Sequence, residues 1–441
     1  MTWLLPALVA VPLLTAVGLL ALRPARMPAL VAAGLASAVT LVLAVVAVVE
    51  ARPWARGDVG LDLDVPWVPA LGVRMHLGLD GVSAPLVLLT CLLTLLVVGY
   101  TVTVEPRPGR TAGLLACILA VCGGAVATFM ALDLVVFFVA FEVVLVPMWF
   151  LVAVWGDDGD PAARRDAANR FVLYTAGGSA VMLLGILLVA LRAGTTDLVA
   201  LAALGGAGMD GGTQLAAALL LLVGLAVKVP AWPLHTWLPP AHTIAPTVGS
   251  VLLAGVLLKM GSYGMVRLVV PVVPAGLEQL APWLAAAGVI GIGWGGLACL
   301  VERDLKRLVA FSSVAHMGFV LVGIASMTPE GLQGALFANV AHGVITSLLF
   351  LVVGGLKDRA HTSDLSRLGA GLRDLSPRLG WLLALGCIAG LGLPGLAGFW
   401  GELLAVLGAW QGSAALGVAG SRWVAVLAAL GTALAAAYLL R

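Results

Sequence analysis

Residues 224–242 read GLAVKVPAWPLHTWLPPAH, and they follow the uncharged run QLAAALLLLV at 214–223. Lys228 therefore stands at the end of an apolar segment, with Pro230 and Pro233 just beyond it. A lysine at membrane depth costs about 2.5–3.5 kcal/mol on insertion scales. A proline removes a helical hydrogen bond and clashes with the carbonyl four residues back. The two defects make sense together. A broken helix frees backbone groups, which a membrane tolerates only where they line a cavity or are covered by protein. The cavity in turn hydrates the lysine. The stretch predicts a discontinuous membrane helix built around a functional lysine.

The rest of the chain supports a membrane setting. Of 441 residues, 61% are hydrophobic and 10% charged, against about 25% charged in a soluble domain. The mean hydropathy is +1.10. Thirteen segments are expected to span, at about 3–22, 28–49, 82–104, 112–130, 132–154, 168–191, 215–233, 243–268, 281–300, 305–325, 331–356, 379–406 and 415–440. Each approaches the ~20 residues that cross a hydrocarbon core as a helix. The fold class is an all-α polytopic membrane protein in the lipid bilayer. The first segment is too long, and too poor in an n-region, for a cleaved signal peptide. The connection at about 50–81 carries Pro, Gly, Asp and alternating Val/Leu, and predicts an extramembrane cap with a hairpin. A net charge of +2 argues against nucleic acid as a partner. Cys91, Cys117, Cys122, Cys299 and Cys387 lie in apolar segments without metal or haem spacing. They read as packing residues, and no metal or redox centre is expected on this chain.

Positive charge sets the expected orientation. With the N-terminus outside, sixteen of the twenty-four Lys and Arg fall on inner connections, among them Arg23, Arg164, Lys306, Arg373 and Arg441. Six fall on outer ones: Arg52, Arg56, Arg74, Arg192, Arg267 and Arg422. That bias follows the positive-inside rule. The remaining two, Lys228 and Lys259, lie inside spans.

Six ionisable residues fall within the apolar spans: Glu142, Lys228, Lys259, His316, His342 and Glu402. Such residues face a bundle interior or a hydrated cavity, and mark ion or proton paths. Singly, each reads as readily as a structural hydrogen-bonding group or half of a static pair. Six of both signs point to proton or cation movement. Burial lowers a lysine pKa and raises a glutamate's, and histidine starts at about 6.5, so all three can titrate near neutral pH, whereas arginine does not release its proton. The choice of lysine in an arginine-rich chain fits that chemistry. A Glu142–Lys228 pair is expected to hold both charges at lower cost than either alone. His235 and His242 follow the break as structural or proton-uptake residues; their spacing of seven does not suit two ligands on one helix face. Asp133 lies near a span end and reads as outer surface.

Glu142 and His316 are 174 residues apart, and so are Lys228 and Glu402. Units of five spans at 111–270 and 271–441, after an N-terminal unit at 1–110, account for the matched offsets. An odd span count inverts the second unit, and inverted repeats with broken helices are a transporter signature. The breaks themselves, at Pro230 and Pro233 and at Pro394 and Gly395, do not superpose under that offset, so the repeat is approximate.

These blocks resemble the antiporter-like membrane subunits of the bacterial proton-translocating NADH–quinone oxidoreductase, respiratory complex I, and within them the subunit M group, equivalent to mitochondrial subunit 4. The resemblance covers essentially the whole chain. It rests on PWVPALGVRMHLGLDGVS (66–83), FEVVLVPMWFLVAVWG (141–156), the segment from Val227 to Leu268, ERDLKRLVAFSSVAHMGFV (302–320) and LPGLAGFWGE (393–402). It implies fourteen membrane helices in two inverted five-helix repeats with discontinuous helices seven and twelve. It also implies an ion pair of Glu142 with Lys228, a central lysine at Lys259, connecting histidines at His316 and His342, and a terminal Glu402. A glutamate there favours subunit M over subunits L and N. The implied partners are the other membrane subunits, especially L and N. NADH, FMN, iron–sulfur clusters and quinone are expected in partner subunits, and the chain itself in the bacterial inner membrane. Two departures stand out. The fourteenth helix is missing, so a C-terminal continuation is expected. Phe311 also replaces a tyrosine frequent in the family, leaving any proton role of that hydroxyl in doubt.

The expected function is thus a proton-pumping translocase subunit without redox chemistry of its own. A subunit of a multisubunit sodium/proton antiporter or of a membrane-bound hydrogenase is the alternative; dependence on sodium rather than NADH separates the antiporter, and the copurifying soluble subunits separate the hydrogenase. A membrane-integral scaffold is a third reading. It predicts that neutral isosteres replace the six buried groups without loss.

Overall fold

The computed structural model describes residues 1–52, 59–105, 107, 109–157, 159–368, 376–412 and 416–440. Arg56, Arg373 and Arg441 of the charge pattern lie outside them. Among the described residues, twelve helices are long and apolar enough to cross a membrane. The twelfth expected span, at 379–406, is divided at the expected break beside Pro394 and Gly395 into two short helices, Pro377–Gly390 and Ala397–Gln411, joined by a turn. The expected span at 215–233 stops early. Its helix Gly211–Lys228 ends on the lysine, and the chain winds through 229–237 into the short helix Leu238–Ile244.

Proline chemistry accounts for all three interruptions. The ring at position i displaces the carbonyl of residue i−4. Pro394 points to Gly390, where the first half of that broken element ends. Pro147 points to Val143, where Leu134–Val143 gives way to Leu145–Trp155. Pro233 points to Val229, one residue past the end of Gly211–Lys228. The break beside Pro394 also uses Gly392 and Gly395, with φ of 68° and 94°, where a side chain is strained.

Two helices form the centre of the bundle. In Thr247–Val269 and Leu305–Ala325, 89% of the apolar stretch is buried, against 33% in Leu4–Leu22. Leu4–Leu22 instead turns Leu14, Val17 and Leu20 outward. The central helix Thr247–Val269 is irregular, with π-helical turns at Leu253–Leu257 and Met265–Val269 around an α segment, Leu258–Gly264. Such turns leave carbonyls out of the regular ladder and cluster at functional sites.

The extramembrane connection forms the expected hairpin. Strand Leu61–Val68 pairs antiparallel with Val73–Leu79, in a register placing Leu61 opposite Leu79 and Val65 opposite Met75. His76 fixes the hairpin to the bundle. Its ring bonds Asp62 at 2.8 Å and also Asp197, and its carbonyl accepts from the Leu132 amide at 2.9 Å.

Two clasps tie helix ends together at opposite faces of the bundle. On the hairpin face, Asp133 caps Leu134–Val143 and accepts from the Thr196 hydroxyl, while the Leu134 amide donates to Thr196 O at 2.8 Å. The Leu198 amide returns to Leu132 O at 2.8 Å. On the other face, Asp304 caps Leu305–Ala325 and accepts from the Ser363 hydroxyl, and the Leu305 amide donates to Ser363 O at 2.9 Å. The Leu365 amide returns to Arg303 O at 2.9 Å. The same bonds recur on TTDL (195–198) and TSDL (362–365). Asp133, expected as outer surface, is fully buried because its carboxylate belongs to this clasp.

Candidate functional site

The six intramembrane residues fall into two groups of unlike character. The first lies at the break after Lys228. That side chain is 2% exposed, and its ammonium has no hydrogen-bond partner among the described residues. It sits 4.3 Å from the centroid of the Phe141 ring, a cation–π contact. Glu142 is the next residue, half-buried, and its Oε1 is likewise unpartnered. Glu142 is close enough for Lys228 to feel its charge, but the two make no direct ion pair. The expected contact pair is therefore absent. Successive helical residues point about 100° apart, so when Phe141 lies beneath the ammonium, Glu142 is turned aside.

The break is held by its own side chains. Trp237, fully buried, donates its indole N–H to Val227 O at 2.9 Å, a carbonyl at the end of the helix. Pro230 and Pro233 lie within this turn. His235 is 4% exposed with Nδ1 unpartnered. His242 is fully buried, stacked on Phe350 at 4.5 Å, and both of its ring nitrogens lack partners.

The second group is bonded. Lys259, fully buried, donates to Ala254 O in the first π turn and meets His342 Nδ1. The His342 and His316 rings lie 5.9 Å apart, centroid to centroid. A cavity of about 20 Å³ beside them is lined by both histidines, Ser312 and Glu402. That is room for about one water, and His342 Nε2 is left for it to reach. His316 Nδ1 bonds Glu402 Oε1 at 3.1 Å, and Thr432 donates to Glu402 Oε2 at 3.2 Å. The break at Pro394 and Gly395 runs close by: a Cβ on Gly392 would come within 2.7 Å of Glu402 Oε2. Glycine there serves both the turn and the carboxylate. Lys259, His342, His316 and Glu402 thus form a line of titratable groups through the core, hydrogen-bonded at both ends, with the two histidine rings side by side along the small cavity.

Tyr438 is a participant the sequence did not single out. It is 2% exposed on Gly417–Leu439, and its hydroxyl reaches His316 Nε2 at 3.4 Å. Phe311 packs in the same small cluster. Thr432 and the buried Ser262–Asn339 bond, 2.8 Å, were equally unannounced. A tyrosine or threonine in an apolar span carries no charge to flag it. Among the described residues no three His, Cys, Asp or Glu gather as a metal site.

The site defines a class: a helical membrane protein with two broken helices and a buried Lys–His–His–Glu line. Comparison with known proteins agrees with it. Residues 131–428 match the family model described as NADH:quinone oxidoreductase/Mrp antiporter, TM. The chain is 38% identical over 387 residues to NADH-quinone oxidoreductase subunit M of Rhodobacter capsulatus, covering 86% of this chain and 72% of that one. It is 40% identical over 440 residues to an NAD(P)H-quinone oxidoreductase chain 4 of a Synechococcus species, covering 99% and 81%. Among solved structures it resembles a chain of respiratory complex I from Thermus thermophilus, with TM-score 0.86 and 31% identity over 99% of this chain and 87% of that one. The Mrp complex of a Dietzia species shares the fold at TM-score 0.87 and 24% identity, over 100% and 79%. The chain belongs to the NADH:quinone oxidoreductase/Mrp antiporter family of membrane subunits, on the subunit M side of it.

Proposed function

We propose that this chain is the proton-translocating subunit M of an NADH–quinone oxidoreductase. The carrying observation is the line Lys259–His342–His316–Glu402 through the buried centre. Electrons pass from NADH through FMN and iron–sulfur clusters to quinone in partner subunits, and this chain moves protons in response. Its neighbours are the other membrane subunits, L and N in particular, in a bacterial plasma membrane with the N-terminus outside. The hairpin face is then the outer one. The two clasps on opposite faces support a reading of 111–270 and 271–441 as inverted copies.

Lys228 and Lys259 store and pass protons. His342 and His316 carry them across, each using one ring nitrogen as acceptor and the other as donor. Glu402 delivers them outward. Glu142 sets the proton affinity of Lys228 by approaching it or withdrawing. Because Lys228 holds no carboxylate in this structure, a small movement of Glu142 changes its charge state, and that is the switch.

The test is NADH-driven proton uptake by inverted membrane vesicles carrying Lys228→Met, with NADH oxidation followed in the same sample. Collapse of uptake in an assembled complex is expected. Wild-type uptake would overturn the mechanism. The fold shared with the Mrp complex keeps one alternative in view, a sodium/proton antiporter subunit, which predicts transport set by sodium rather than by NADH.

A further inference from the structure

A groove of about 590 Å³ runs along the flank of the bundle between Leu4–Leu22, Thr111–Met130 and Leu145–Trp155. Its charged end lies at the face opposite the hairpin, where Arg23 closes Leu4–Leu22 and Arg110 precedes Thr111–Met130. From there the lining turns apolar. Ala112, Ala116 and Ala120 form one wall, and Val146, Phe150 and Val154 the other. Arg110 to Ala120 is ten residues and Val146 to Trp155 is nine, so the groove is about 15 Å long at 1.5 Å per helical residue. That is half of a ~30 Å hydrocarbon core, the depth of one leaflet. The groove stops beside Pro147, where its helix is interrupted.

The charged end lacks counter-charges. Among the described residues neither Arg23 nor Arg110 has an ion-pair partner, whereas their neighbour Arg26 pairs with Glu105 at 3.4 Å. Arg110 stands at a helix N-terminus, where a cation opposes the macrodipole and an anion is favoured. No side chain at that position caps the first amides of Thr111–Met130. Burial, and then the charges of Arg164 and Arg110, push the Arg107 guanidinium below its usual range. Trp155 lines the same end and is 8% exposed, and its indole N–H has no acceptor among the described residues. A buried donor left without an acceptor is costly. Gly113 admits the indole beside the helix start, since a Cβ there would come within 3.3 Å of the ring.

We infer that this groove seats an anionic diacyl phospholipid of the leaflet opposite the hairpin. Its phosphate lies with Arg23 and Arg110 against the start of Thr111–Met130. The Trp155 indole donates to a headgroup or ester oxygen, and an acyl chain fills the alanine-walled length. Basic pockets between membrane helices recognise acidic headgroups in this way. A zwitterionic headgroup would bring its own cation to a place that already holds two. The length argues for a lipid rather than a helix of a partner subunit. A crossing helix needs ~20 residues and the full thickness of the core, and the groove ends halfway. The site stands apart from the Lys259–His342–His316–Glu402 line and does not depend on the pump reading.

The test places the purified complex containing this chain in phosphatidylcholine vesicles with a trace of phosphatidylglycerol carrying a photoactivatable acyl chain. Cross-links, mapped by peptide mass spectrometry, are expected within 112–120 and 146–154. The same chain on a phosphatidylcholine probe is expected to label there about tenfold less. In Arg23→Gln/Arg110→Gln, phosphatidylglycerol labelling is expected to fall about thirtyfold, since two arginines at the headgroups are worth about 2 kcal/mol together. Arg23→Lys/Arg110→Lys is expected to keep most of it. Ala120→Leu leaves both charges and fills the deep end, and is expected to lose the cross-links at that depth. Equal labelling by the two probes, or labelling unchanged in the glutamine and leucine variants, makes the groove ordinary lipid-facing surface and overturns the proposal. No labelling in the parent complex puts a partner subunit in the groove and overturns it too. The comparison of headgroups needs no variant, so it decides the matter even where a substitution blocks assembly.

Discussion

The two halves of the bundle hold their charges in opposite ways. Around the first break, Lys228 rests on an aromatic ring, Glu142 is turned aside, and His242 has no partner for either nitrogen. Around the second break, Glu402 is bonded by His316 and Thr432, and Tyr438 closes on the far side of His316. One fold thus supports an open arrangement and a connected one. Unpartnered buried charges are costly and easily moved by a neighbour, whereas bonded ones are fixed. A switch belongs in the first half and a relay in the second.

The largest effect is expected from breaking the connected half. Glu402→Gln keeps the shape but removes the proton site, and proton uptake is expected to fall by about 100-fold, as for a lost acid–base group. Near-normal uptake would dissolve the contrast between relay and switch. In the open half, Phe141→Leu removes the ring beneath Lys228 and leaves room for Glu142 to pair with it. A cation–π contact is worth about 0.5–2 kcal/mol, so uptake is expected to change severalfold, with the pH at half-maximal rate moving upward as the carboxylate favours the charged lysine. An unchanged pH profile would show that the ring does not set the charge state. Tyr438→Phe deletes one hydroxyl from the relay and is expected to cost less, about two- to fivefold in rate for a bond worth about 0.5–1.5 kcal/mol. Wild-type rate would make Tyr438 a packing residue.

The smallest effects concern the clasps. Thr196→Val and Ser363→Ala each remove one hydroxyl bond to a capping aspartate. If the halves are inverted copies, both variants lower stability by similar amounts, about 1–2 kcal/mol, read as matched shifts in the unfolding midpoint of the purified complex. A large shift in one and none in the other would break the symmetry at its most regular point.

The clasps lie outside the pattern of charges within the spans. TTDL and TSDL, with the aspartates at 133 and 304, are legible in the chain as a repeat at the helix ends. The charged residues inside the spans carry the matched offsets but not these bonds. The break inside the span at 379–406 is legible from Pro394 and Gly395, whereas the two helices on either side of it, Pro377–Gly390 and Ala397–Gln411, are set by the structure. Lys306 was counted as a loop charge because it adjoins Asp304 and Arg307; its burial comes from packing against the turn at Ala245.

What the sequence determined by itself is what local chemistry dictates. Apolar runs must become helices in a membrane, because no other backbone satisfies its own hydrogen bonds there. Prolines weaken them near the fourth residue back, although Pro12 and Pro282 leave their helices unbroken, and lysines, histidines and glutamates inside them must face an interior. Which of those groups touch was decided only by tertiary structure. Phe141 rather than Glu142 faces Lys228 because rotation about a kinked helix sets direction, and spacing along the chain does not record it. Tyr438 meets His316 across 122 residues of sequence, since both lie where separate helices converge on one point, and that convergence belongs to packing alone.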